Sequence, residues 1–216
     1  MAWCMQDKES SWLKIVEQIK TCTLCPLHKY RRNPVPGEGS LNAEIFFLGE
    51  APGRREDEMG RPFVGAAGQL LNKLLEDINI KRSEVFITNV VKCRPPNNRD
   101  PKDDEIRACS VYTDSLISLI RPKVIVTLGN HAGRYIFEFL GNRRWLGISK
   151  IRGKVYEVNL RLDLRVKVIP TYHPAAALYN PQLREALESD FKLIVKALSE
   201  VRGEGRRPTL LDFIKH

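Results

Sequence analysis

The chain has 216 residues, 43% of them hydrophobic, and carries 35 Lys and Arg against 26 Asp and Glu, a formal net charge of +9. That composition argues for one well-buried α/β domain with a short appendage, and against disorder or a second full domain. The basic excess suits a partner with a phosphate backbone, and charge interrupts every hydrophobic run, so no membrane span is expected.

The first residues, MAWCMQDKES, lack the apolar centre of a signal peptide. A soluble, cytoplasmic and nucleoid-associated monomer is the expectation, in a compartment where thiols stay reduced. Five cysteines in such a setting point to metal or cluster binding more than to disulfides.

In chain order, Ser10 or Ser11 is expected to cap a first helix whose apolar face is Trp12, Ile15, Val16 and Ile19. It runs into Cys22-Thr-Leu-Cys25. Residues 28–40, basic and then rich in Pro and Gly, read as an exposed loop. Ile45, Phe46, Phe47 and Leu48 form a strand that breaks into the turn GEAPG at 49–53, and small residues up to Gly68 lead into a helix. That helix carries Leu70, Leu71, Leu74, Leu75 and Ile78 on one face.

A second strand is read over 85–91, followed by the irregular segment RPPNNRDP. Asp103 or Asp104 starts a helix, and 124–128 is a third buried strand. Asn130 is expected to cap the short helix AGRYIFEFL, closed by Gly141. A hairpin or edge strand falls at 155–160, a last strand at 166–170 delivers Thr171-Tyr172-His173-Pro174, and a final helix covers 181–201. Strands alternating with helices imply a mostly parallel sheet covered on both faces, with the strand ends at Gly49, Asn89, Gly129 and Tyr172 gathered on one edge. The domain is read as 1–201, and 202–216 as a linker and tail.

Several residues on that edge have the chemistry of a site. The turn at Gly49 matches neither G-x-x-x-x-G-K-[ST] nor G-x-G-x-x-G, and Glu50 within it would repel a phosphate. A neutral polar ligand, or a carboxylate that performs chemistry, fits better. Phe63 is either a core aromatic or a ring for a base to stack on. Asn89 is either a loop former or a bidentate amide that reads a base edge. His173 is the best placed of the four histidines; His28, His131 and His216 have bland explanations. Cys22 and Cys25, with the distant Cys93 and Cys109, fit a structural zinc or an iron–sulfur cluster, or else Cys109 is a small buried helix residue and Cys93 incidental. Cys4 has no partner at ligand spacing.

Together these residues resemble the family 4, iron–sulfur uracil-DNA glycosylases. The resemblance rests on GEAPG (49–53), GRPFVGAAG (60–68), TNVVKCRPPNNRDP (88–101), TLG (127–129), HPAA from His173 and the positions of four cysteines. It implies a three-layer αβα sandwich around a central parallel sheet of four strands. It also implies a [4Fe–4S] cluster on Cys22, Cys25, Cys93 and Cys109, and a uracil pocket at Gly49, Glu50, Ala51, Phe63, Asn89 and His173. Glu50 and His173 would act in catalysis, Glu56 would exclude the thymine methyl, and Leu178, with Tyr179 next, would wedge into the duplex.

Better-known uracil glycosylases carry an aspartate where this chain has Ala51, a departure typical of family 4. The implied reaction is hydrolysis of the deoxyuridine N-glycosidic bond in DNA, leaving an abasic site for base excision repair. The competing reading is a non-hydrolytic or covalently trapping uracil-DNA binder; those relatives carry GEQPG and a reactive histidine after the second motif, whereas here no histidine lies between Asn89 and Cys109. The tail over 207–214 resembles a sliding-clamp-binding box, with Arg207 where glutamine is usual. Docking of that apolar segment on its own domain is the alternative.

Overall fold

The computed structural model describes residues 2–204, with side chains over 7–203. The clamp-like segment 207–214 and the side chain of Cys4 lie outside the described residues.

Six strands form one sheet. In chain order they are β1 (Glu38–Gly39), β2 (Ile45–Gly49), β3 (Phe86–Asn89), β4 (Val124–Leu128), β5 (Tyr156–Leu160) and β6 (Leu164–Thr171). Their spatial order is β1-β3-β2-β4-β6-β5. The inner four are parallel, and β1 and β5 add antiparallel edges. Burial on both faces explains why β2 and β4 read as continuous apolar runs. Phe46 and Leu48 point into one core, Ile45 and Phe47 into the other.

Among the described residues seven α-helices complete the layers: α1 (Ala2–Thr21), α2 (Arg54–Met59), α3 (Ala66–Asp77), α4 (Asp103–Ile120), α5 (Asn130–Arg134), α6 (Ile148–Ile151) and α7 (Pro181–Glu204). Residues of α1, α4 and α5 share a core with one sheet face, and those of α3 and α7 with the other. None of the described helices is long and apolar enough to cross a membrane.

Four local expectations are corrected. Helix α1 begins at Ala2, so Ser10 and Ser11 lie inside it rather than at its cap. Asn130 is the first helical residue; Gly129, at φ 91°, takes the cap position, and Asn130 Oδ1 accepts from Ile148 N–H at 3.0 Å. The second strand stops at Asn89, beyond which Val90 and Val91 N–H donate to the carbonyls of Gly49 and Glu50. Residues 28–40 are not a free loop. Val35 is buried and its N–H donates to Lys92 O at 2.8 Å, the buried Asp57 accepts from Arg32 N–H at 2.8 Å, and β1 pairs with β3. A basic, Pro-rich sequence hides this because its anchors are backbone groups satisfied elsewhere in the fold.

Away from that edge, α7 is locked to the sheet by the buried Asp190. Its carboxylate accepts from Arg152 Nε (2.9 Å) and Nη2 (2.6 Å) and from Thr171 Oγ1 (2.6 Å).

Candidate active site

Parallel pairing sets Gly49 beside Asn89 at the carboxyl ends of β2 and β3. In open α/β sheets this edge, where the connections diverge, is where ligands bind. A cavity of about 430 Å³ opens there, lined by Glu50, Ala51, Glu56, Phe63, Asn89 and His173 together with Pro52, Gly53, Ala67, Pro95, Asn98, Arg99, Ala175 and Ala176. Gly49 lies behind the wall. A Cβ on it would come within 2.3 Å of Asn89 Oδ1 and 2.7 Å of Phe63 Cζ, so only glycine lets these two side chains close on each other.

Asn89 is 1% exposed, and its Oδ1 has no hydrogen-bond partner. Leaving a buried acceptor unpaired costs about 1–3 kcal/mol. An amide on a cavity wall that bears this cost is prepared for a donor from a ligand.

Phe63 is held at φ 50°. A residue in that region carries strain of about 1–3 kcal/mol, which the surroundings must enforce. Two features do so. Gly68 lies so close that a Cβ would fall 1.8 Å from Phe63 O, and Glu56 Oε1 accepts from Val64 N–H (2.8 Å) and Gly65 N–H (2.9 Å). Glu56 is thus a fixed wall of the cavity as well as the clasp of the Phe63 loop.

The Phe63 ring lies 5.5 Å from that of His173, tilted by 29°. His173 Nδ1 accepts from Ala175 N–H at 3.1 Å, which puts the proton of the neutral ring on Nε2. Burial lowers its pKa to about 4, against an opposing pull from Glu56. His173 is therefore a neutral donor at physiological pH.

Burial raises the pKa of Glu50; the nearby His131 opposes the rise and Asp100 adds to it. His131 Nε2 lies 3.8 Å from Glu50 Oε2 and 3.4 Å from Asp100 Oδ2. Local sequence does not mark His131; the topology does, because β4 pairs with β2 and the residues after Gly129 stand beside those after Gly49. Asn98 and Arg99, from RPPNNR, also reach the cavity without having been singled out.

Of the two wedge candidates, Leu178 is half-buried against the α3/α7 core, while Tyr179 next to it is 95% exposed.

The four cysteines converge on a second, apolar cavity also lined by Ile19, Leu24, His28, Arg31, Lys92, Ala108 and Tyr112. All four are free thiols, with Cys93 and Cys109 buried. Three sulfurs accept hydrogen bonds: Cys22 from Leu24 N–H (3.5 Å), Cys93 from Arg31 Nη1 (3.2 Å) and Cys109 from Lys92 N–H (3.3 Å). Burial pushes the Cys109 thiol up to about 12 and raises those of Cys93 and Cys25.

A cavity at this sheet edge, bounded by the glycine turn, an aromatic, an amide and a histidine, is a ligand pocket of an αβα fold, and a family match gives it its place. The chain belongs to the uracil-DNA glycosylase superfamily, whose family model matches residues 36–201. It is 57% identical over 182 residues to a type-4 uracil-DNA glycosylase of Sulfurisphaera tokodaii, covering 84% of this chain and 82% of that one. It is 52% identical to the type-4 enzyme of Archaeoglobus fulgidus (93% and 97% covered) and 44% identical to that of Thermotoga maritima (93% and 100%). Within the superfamily these similarities put it with the type-4 group.

Proposed function

We propose that the chain is a uracil-DNA glycosylase that hydrolyses the N-glycosidic bond of deoxyuridine in DNA and leaves an abasic site. The observation that carries this reading at the level of the site is the unpartnered Asn89 Oδ1 on the wall of a cavity closed by Phe63 and His173. Uracil N3–H would donate to that oxygen, and the amide NH2 of Asn89 would donate to uracil O4. Cytosine reverses both groups, and a site built on such matches discriminates by about 10⁴ or more.

The target base must leave the duplex stack to enter, at a cost of about a few kcal/mol. Stacking on Phe63 returns about 1–3 kcal/mol whatever the base. Tyr179 is our choice for the ring that fills the gap left behind. Glu56, held by two backbone N–H groups, would be the unyielding wall that a thymine methyl meets.

As the bond between C1′ and N1 breaks, its electron pair stays with uracil, and charge develops on O2. Nε2–H of His173 would donate to that oxygen and lower the barrier electrostatically. Water adds at C1′, and Glu50, as carboxylate, would orient it and take its proton.

Cys22, Cys25, Cys93 and Cys109 would hold a [4Fe–4S] cluster. Among the described residues no three cysteine sulfurs come within 4.8 Å of one another. Around one zinc, with Zn–S of about 2.3 Å, thiolates would sit about 3.8 Å apart, so the wider set suits a cluster better. Its iron would supply the positive charge that lets these buried thiols ionise, and its part here is to pin α1 to the segment that follows Asn89.

The test is release of free base from oligonucleotides containing uracil, thymine or cytosine, by wild type, Glu50→Ala, Asn89→Ala and His173→Ala. Release from uracil alone, lost or strongly reduced in the variants, is expected. Equal activity in all four proteins would overturn the site, and tight uracil-DNA binding without release would return the chain to a binding role.

A further inference from the structure

Lys92 stands between Asn89 and Cys93, and neither the base chemistry nor the cysteine set uses its side chain. It is 1% exposed. Its Nζ donates to Thr88 Oγ1 (2.9 Å), to Thr113 Oγ1 (3.0 Å) and to the main-chain carbonyl of Asn89. These acceptors engage all three N–H bonds of an ammonium, so none is left for a substrate.

Each partner is tied further. Thr88 Oγ1 donates to Pro36 O (2.7 Å) and Thr113 Oγ1 to Val90 O (3.2 Å). The Lys92 main chain donates to Cys109 Sγ and accepts from Val35 N–H. The side chain thus knots the end of β3, helix α4 and the segment before β1 at one point. A buried ammonium is weak evidence for stability, because an apolar residue of the same length would fill the space without being desolvated. Its value lies in fixing geometry.

Resting on the reading of Asn89 as the amide that recognises uracil, we propose that Lys92 is a positioning residue. It holds the Asn89 carbonyl, and through it the direction of the Asn89 side chain, so that base recognition depends on a lysine that never touches the base. Without it the peptide after Asn89 keeps only the bond from Val90 N–H to Gly49 O, its carbonyl loses its partner, and the amide drifts from its register with the Phe63 ring.

The experiment measures free-uracil binding to cluster-loaded protein, alongside visible absorbance and affinity for undamaged duplex. Lys92→Met is expected to weaken uracil binding about tenfold, the effect of one hydrogen bond to a charged group, and to raise KM more than it lowers kcat. Absorbance and undamaged-DNA affinity should stay. Thr113→Val should give a smaller loss in the same direction, and Thr113→Ser, which keeps the hydroxyl, should behave as wild type.

Wild-type uracil binding in Lys92→Met with intact absorbance would overturn the inference. Should Lys92→Met lose its cluster, Thr113→Val decides: weakened uracil binding with the cluster retained supports the proposal, and unchanged binding overturns it. A wild type that neither binds nor releases uracil would remove the functional reading and this inference with it. If Asn89→Ala loses uracil while the Lys92 and Thr113 variants keep it, only this inference fails.

Discussion

Asn89 and Asp190 are each 1% exposed, and they are treated in opposite ways by the residues around them. Asp190 accepts from Nε and Nη2 along one edge of the Arg152 guanidinium and from Thr171. Asn89 Oδ1 accepts from nothing. A buried polar group with a structural task arrives with its partners, because an orphan costs more than the bond would have contributed. An orphan on a cavity wall is what the proposed recognition of a base by Asn89 requires. Thr127 Oγ1 is also unpartnered but does not line the cavity.

Exchanging each residue for alanine separates the two roles. Asn89→Ala should reduce uracil release by about 10⁴ while leaving thermal stability unchanged or higher, since it removes an unsatisfied acceptor. Asp190→Ala should do the reverse, costing about 3 kcal/mol by stranding Arg152, with turnover per folded molecule retained. Denaturant unfolding and single-turnover release on both proteins decide the matter. Equal destabilisation by the two changes would erase the distinction.

Gly49→Ala acts on Asn89 and Phe63 together. The added methyl would press on both Asn89 Oδ1 and Phe63 Cζ. Displacing a positioned group by about 1 Å costs about a hundredfold in rate, so a loss of that order is expected. A near-normal rate would mean that Asn89 and Phe63 do not need their mutual contact.

Much of this architecture was legible beforehand. Strand β4 falls on the residues expected of it, the strand alternation implies the shared edge of Gly49 and Asn89, and Glu50, Phe63, Asn89 and His173 line one cavity, the grouping that the family resemblance implies. What escaped was whatever depends on a partner distant in sequence. Strand β1 exists only because β3 lies beside it, and Val35 and Asp57 are buried by contacts their own neighbourhoods do not announce. The strained φ of Phe63 follows from Gly68 and Glu56, and His131 meets Glu50 through the order of strands. Local periodicity carries no information about such long-range closure.

Acidity separates the two titratable members of the site, with a smaller effect. His173, with its pKa lowered to about 4, stays neutral through the range in which an ordinary histidine takes up a proton. Below about pH 6.5 the unfolded chain binds that proton and the folded one does not, so the site costs stability as pH falls. Glu50 shifts the other way; its carboxylate is lost at a higher pH than usual as the solution is acidified. If Glu50 must be ionised, it and not His173 sets the acid limb of the rate profile. Asp100→Asn should then move that limb to lower pH, because Asp100 helps to raise Glu50. Glu50→Gln should leave a slower enzyme whose profile stays flat toward pH 4. A limb unmoved by Asp100→Asn would assign it to another group.

Leu178 and Tyr179 repeat the contrast of structure against function on adjacent residues, and the effects expected of them are the smallest. Leu178 packs partly buried against the α3/α7 core, so Leu178→Ala should lower stability by about 1–2 kcal/mol and leave the rate on single-stranded DNA alone. Tyr179, 95% exposed, gives the isolated fold little to lose. If this exposed ring, three residues beyond the cavity-lining Ala176, stacks where a base has left, its removal should be felt only where there is a stack to break. Tyr179→Ala is expected to slow uracil release from duplex DNA about tenfold, a part of the few kcal/mol that unstacking costs, and to leave single-stranded substrate unaffected. Parallel assays on the two substrates read that ratio directly. An equal loss on both would make Tyr179 a general DNA contact, and a duplex-specific loss in Leu178→Ala would restore the leucine as the wedge.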